Sequence, residues 1–193
     1  MRNPPARALI TAAAAQLLDR LRDVHGPLMF HQSGGCCDGS APMCYPEGEF
    51  IVGDRDVLLE VLQGAPVWIS GPQFATWKHT QLIIDVVPGR GGGFSLEAPH
   101  GMRFLSRGRA FTDGENNALA SSATITGADY QRGARPPLRA DLVVEQAADA
   151  CRFPRPARNS RTGVFMTAVI ALSRWWRKPF VKTVSNPLGR PEA

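Results

Sequence analysis

Between Ile10 and Phe111 the sequence has one helical stripe and then only short apolar runs cut apart by glycine and proline. That pattern fits a mixed α+β domain and few other architectures. In the segment from Ile10 to Val24, Ala14, Leu17, Leu18 and Leu21 recur at helical spacing, and Thr11 is a candidate N-cap. Gly26 and Pro27 end the helix, because glycine accepts the left-handed backbone past a helix end and proline cannot continue one. Strand-like runs follow at Leu28–Gln32, Glu49–Val52, Val57–Leu62, Val67–Ser70, Gln81–Val87, Gly93–Glu97 and Arg103–Ser106. Pro88-Gly-Arg-Gly-Gly-Gly93 reads as a hairpin turn making neighbours of Gln81–Val87 and Phe94–Glu97. It is not a phosphate loop, since no helical pattern and no Gly-Lys-Ser/Thr follow it. The expected fold is α+β, a curved and mainly antiparallel β-sheet with an N-terminal helix.

The Leu28–Gln32 strand leads into His31-Gln-Ser-Gly-Gly-Cys-Cys-Asp-Gly-Ser-Ala-Pro-Met-Cys44, which holds three of the four cysteines of the chain. Glycines 34, 35 and 39 allow positive φ, so this backbone can curl tightly and turn amide N–H groups inward. Such a nest lowers thiol pKa values, and the thiolate is both a nucleophile and a metal ligand. For a metal, the ligands are Cys36, Cys37 and Cys44 with His31, Asp38 or His79, and the ion is zinc, iron or an iron–sulfur unit. For thiol chemistry, Cys36 or Cys37 is the nucleophile or redox thiol and His31 or His79 its base. The third reading is packing alone, because free cysteine is among the most buried residue types. Asp54 and Asp56 read as a turn pair rather than a catalytic dyad. Cys151, in an irregular stretch, reads as incidental.

Charge divides the 193-residue chain: Met1 to Thr112 holds 10 Lys+Arg and 10 Asp+Glu, and the remainder 12 and 7, so the whole net charge of +5 lies after Thr112. The cysteine-bearing half therefore lacks the basic, aromatic-interleaved face that nucleic acid binding needs. Residues 8–112 are read as the cysteine-loop domain and residues 113–193 as a basic, weakly ordered extension with a helix near 162–178. The apolar run Val164–Leu172 is nine residues long, short of the roughly 20 a bilayer span needs. No secretory h-region is visible at the amino end, so the expected compartment is the cytoplasm, where clustered cysteines serve more often as ligands or reactive thiols than as disulfides.

The runs Gly26-Pro-Leu-Met-Phe-His-Gln-Ser-Gly-Gly-Cys-Cys-Asp-Gly-Ser-Ala-Pro-Met-Cys-Tyr-Pro46, Trp77-Lys-His-Thr-Gln-Leu82 and Gly93-Phe-Ser-Leu-Glu-x-Pro-x-Gly-x-Arg-Phe104 closely resemble the bacterial family known as domain of unknown function 779. The resemblance covers about Ile10 to Phe111. Members of that family are often encoded beside, or fused to, aldehyde dehydrogenases, which implies an accessory role in aldehyde oxidation and an aldehyde dehydrogenase as partner. The order of helix, short strand, Ser-Gly-Gly-Cys and a late Gly-Phe-x-Leu-x-x-Pro-x-Gly is similar, more distantly, to the HesB-like (A-type) iron–sulfur carriers. That likeness implies a HesB-like fold and gives Cys36 the place of the carriers' first ligand cysteine. Their carboxyl-terminal Cys-Gly-Cys is absent here. The function expected is an accessory protein to an aldehyde dehydrogenase whose loop binds zinc, iron or an iron–sulfur unit. The alternative is a small cysteine-dependent enzyme or redox thiol protein of aldehyde metabolism. With only three clustered thiols per chain, a homodimer sharing ligands is also consistent with the sequence.

Overall fold

The computed structural model describes residues 4–34 and 41–150. Cys36, Cys37 and Asp38, Cys151 and the helix expected near 162–178 lie outside the described residues.

Strand β1, Ala8–Thr11, is buried along its whole length and runs straight into helix α1, Ala12–His25. Thr11 is extended, and its hydroxyl accepts from the Ala14 N–H at 3.3 Å, satisfying one of the free donors of the first turn. Ala14, Ala15, Leu17, Leu18 and Leu21 form the buried face of α1, each leucine contributing about 1.5–3 kcal/mol on leaving water. The helix stops at Gly26, whose φ of +77° a side chain would oppose, and Gly26 N–H donates to Arg22 O.

Strands β2 (Leu28–Gln32), β3 (Pro42–Pro46), β4 (Val57–Leu62) and β5 (Ala65–Ile69) follow. Then come helix α2 (Gly71–Trp77) and strands β6 (Thr80–Pro88) and β7 (Met102–Ala110). The remainder is α3 (Asp113–Ala120), β8 (Ile125–Thr126), α4 (Gly127–Gln131), β9 (Val143–Val144) and α5 (Ala147–Ala150). One sheet has the order β7-β6-β1-β9 and the other β3-β2-β5-β4-β8. Phe30, Phe104, Ile10, Ile84 and Val67 share one core with the buried face of α1, and the Phe30 and Phe104 rings meet edge to face at 5.0 Å. The outer face of the five-stranded sheet has its own cluster, in which Met29, Leu58 and Trp68 pack with Tyr45, Phe50 and Tyr130.

The single, mainly antiparallel sheet expected from the sequence is therefore replaced by two mixed ones. β1 pairs in parallel with β6 and β9, and β2 in parallel with β5, while four other pairings are antiparallel. Two expected strands are absent. Glu49–Val52 is irregular: Phe50 lies on Tyr45 at 5.0 Å and so half-buries its ring without joining a ladder. Gly93–Glu97 is a series of turns before a short 3-10 helix, Ala98–His100. There the Ser95 hydroxyl accepts from Cys44 N–H (2.9 Å) and Leu96 N–H donates to Cys44 O (3.1 Å), so the segment seals the edge of β3. The strand that pairs with β6 is β7, in register from Thr80↔Ala110 to Pro88↔Met102. Residues 113–150, expected to be weakly ordered, add β8 to β4 and β9 to β1.

Candidate functional site

In the chain the cysteine loop falls between β2 and β3, which pair antiparallel. The ladder runs from Leu28↔Pro46 to Gln32↔Pro42, and Ser33 N–H donates to Ala41 O at 3.0 Å to close the neck. Residues 35–40 follow that neck, so Cys36 and Cys37 stand three and four positions beyond Ser33 in the chain.

Successive residues of a strand point to opposite faces, and the hairpin separates two of the sequence-derived candidates on that rule. His31, opposite Met43, lies on the outer face with Phe50. Cys44, opposite Phe30, lies on the inner face, fully buried in the main core. Burial, with the Glu97 carboxyl as a second cause, pushes the Cys44 thiol far above its ordinary range, so it is neutral. The structure does not bring Cys44 and His31 together.

The His31 imidazole is held between a carboxylate and an aromatic ring. Its Nε2 is 3.3 Å from Asp56 Oδ2, and its ring lies 4.6 Å from that of Phe50. The same carboxylate oxygen accepts from Gly53 N–H at 2.9 Å, and Asp56 N–H donates to Gly53 O at 3.0 Å, so a tight turn fixes the carboxylate before it meets the imidazole. Burial lowers the His31 pKa, and the Asp56 charge and hydrogen bond offset part of that effect. The imidazole is thereby neutral near pH 7 and held in one orientation, with Nδ1 as its second nitrogen. Sequence reading took Asp56 for a turn residue only. Asp56 is indeed in a turn, and 25 residues separate it from His31, so no local spacing marks the pair.

His79 is elsewhere. Exposed immediately before β6, its Nδ1 lies 3.3 Å from Asn116 Oδ1 and its carbonyl accepts from Phe111 N–H at 2.9 Å, which fastens the entry to β6 to the head of α3. Among the described residues no three His, Cys, Asp or Glu side chains converge as a metal would require.

Around the neck the polar groups are tied to the second sheet and to α2. Gln32 is fully buried and its Oε1 accepts from the Ser106 hydroxyl at 2.8 Å. Gln73 of α2 donates through Nε2 to Ser33 O at 3.0 Å. Ser70 caps α2, accepting from Gln73 N–H.

Residues 17–110 match the family model described as Domain of unknown function (DUF779), which supports the family resemblance of the three motifs. No curated protein matches the chain.

Proposed function

We propose, from that family match and from the oriented imidazole at the neck of the cysteine loop, that this chain is an accessory protein of aldehyde oxidation working through a thiol of residues 35–40. The observation that supports it is the pairing, at 3.3 Å, of His31 on β2 with Asp56 in the turn before β4, β2 being the strand after which Cys36 and Cys37 follow in the chain. A nucleophile, a base and a group that orients the base form the general arrangement for an activated thiol. His31 Nδ1 accepts the proton of the thiol, and the thiolate sulfur bonds to the aldehyde carbon. The carbonyl π-bond opens onto oxygen, and the proton passes from His31 to that oxygen. The product is a hemithioacetal, formed with no oxidant or reductant, in which an aldehyde is held for a partner enzyme. The aldehyde dehydrogenase as that partner follows from the family resemblance.

The same observation fits a second reading, in which His31 is a metal ligand, because ligating histidines commonly give their other nitrogen to a carboxylate. Zinc or iron would then sit on His31 with Cys36, Cys37 and Asp38 and would act as a Lewis acid toward a carbonyl oxygen. Alkylation of the reduced full chain by iodoacetamide, mapped by mass spectrometry with and without prior chelation, distinguishes the two. The thiol reading expects rapid labelling of Cys36 or Cys37 near neutral pH without chelation, slowed by His31→Ala. Labelling that appears only after chelation supports the metal. A rate equal to that of an ordinary exposed thiol, unchanged by His31→Ala, overturns the proposal.

A further inference from the structure

A cavity of about 390 Å3 opens between β4, β5, α2, β6 and β7, and neither reading of the cysteine loop uses it. Leu59, Ile69, Phe74 and Trp77 supply apolar walls, and Arg7 and Lys78 bring positive charge. The volume falls within the usual range for small-molecule sites, a few hundred Å3 with mainly apolar walls and a few polar groups.

Arg7 is the unusual member. It is half-buried, its guanidinium lies 5.2 Å over the Phe74 ring, and its Nη2 donates to Leu119 O at 3.3 Å. Among the described residues no carboxylate pairs with it, whereas Arg107 on the same rim is held by Asp85 at 2.6 Å and Arg109 by Glu115 at 2.9 Å. Burial disfavours its charge, a cost that a bound anion would offset. No acidic side chain lines the cavity among the described residues.

Two further polar groups without a partner among the described residues lie near the cavity, a donor on Gln32 and an acceptor, Gln73 Oε1, on α2. Ser106, which lines the cavity, spends its hydroxyl hydrogen on Gln32 Oε1. Gln32 also adjoins Ile69, another lining residue, in the β2/β5 register, and its Nε2 is buried with no acceptor. An occupant with an apolar body and an acceptor-rich, negatively charged head would complement such walls and donors.

We propose that this cavity binds a small monocarboxylate, its carboxylate paired with the Arg7 guanidinium and its hydrocarbon body laid against Phe74, Trp77, Leu59 and Ile69. A guanidinium offers a carboxylate two parallel hydrogen bonds, and Lys78 adds charge at the mouth without that geometry. The site shares no side chain with the thiol reading, so either can fail alone.

Isothermal titration calorimetry of the full-length chain with octanoate, octan-1-ol and acetate, all below micellar concentrations, tests it. Octanoate should bind saturably at one site per chain. Acetate lacks six methylenes of the body and should bind roughly a thousandfold more weakly. Octanol lacks the charge and should bind roughly ten- to hundredfold more weakly, the range expected for losing a hydrogen-bonded charge pair. Arg7→Gln should weaken octanoate by a similar factor and leave octanol unchanged. Equal affinity for octanoate and octanol, no saturable binding of octanoate, or unaltered octanoate binding by Arg7→Gln would each overturn the assignment. The three ligands on the wild-type chain decide the matter even if Arg7→Gln does not fold.

Discussion

Cys44 and His31 are a strand register apart in chemistry as well as in space. Cys44 has no exposed surface and a thiol that burial keeps protonated, so iodoacetamide should leave it unmodified in the native chain and label it only on unfolding, as mass spectrometry across a urea series would record. Cys44→Ser should cost about 1–3 kcal/mol in denaturant unfolding, because a hydroxyl would be buried in a largely apolar core. His31 behaves differently. Its folded pKa lies below the ordinary value of 6.5, so the unfolded chain binds the proton more readily. The contribution of a neutral His31 is complete above about pH 6.5 and falls as the pH drops from there toward the folded pKa. Asp56→Asn removes the charge that raises this pKa, so an NMR titration of the imidazole should show the midpoint moving further down. A midpoint that moved up would contradict the pairing.

At the scale of elements, α3 is the clearest case of local instruction. The Thr112 hydroxyl accepts from Glu115 N–H, and the Glu115 carboxylate accepts from Thr112 N–H, a capping box carried by Thr-Asp-Gly-Glu that the expectation of a weakly ordered extension passed over. Arg109 on β7 then grips the carboxylate through two nitrogens, both at 2.9 Å, and that hydrogen bonding is the main cause holding the Glu115 pKa down at about 2. Its stabilisation is complete above the unfolded value of 4.5 and is lost as the pH falls from there toward 2. Acid unfolding of Glu115→Gln should therefore lack that part of the slope, and Thr112→Ala should cost about 1 kcal/mol by removing the cap. Strand β3 was harder to read, since Pro42-Met-Cys-Tyr-Pro46 begins and ends with residues that lack an N–H. It sits at a sheet edge, where prolines are tolerated. Glu49–Val52 departs in the opposite sense: three apolar residues follow Glu49, but Phe50 packs into the outer-face cluster and joins no ladder.

For the whole molecule, the two sheets depend on chain far apart in sequence. β1 lies between β6 and β9, so the four-stranded sheet needs Ala8–Thr11 and Val143–Val144 on either side of the family-matched segment. A fragment confined to residues 17–110 lacks β1 and the first turn of α1, exposing the edge of β6 and the buried face of Ile83 and Ile84. It should be unfolded or aggregated by circular dichroism and size exclusion, in contrast to the full chain; a soluble, cooperatively melting fragment would show that β1 is dispensable. Among the described residues no helix is long and apolar enough to cross a membrane.

Local chemistry determined helix α1 with its Thr11 cap and Gly26 stop, strands β2, β4 and β6, and the position of the cysteine loop after β2, because caps, turns and apolar periodicity act over a few residues. Tertiary structure alone decided the parallel pairing of β1, the opposite faces taken by His31 and Cys44, the carboxylate of Asp56 beside His31, and the Arg7 guanidinium in a cavity that no acid lines among the described residues. Those outcomes depend on which strands become neighbours and on which way each pleat turns. Both are fixed by burying one shared core between residues that are not near one another in the sequence.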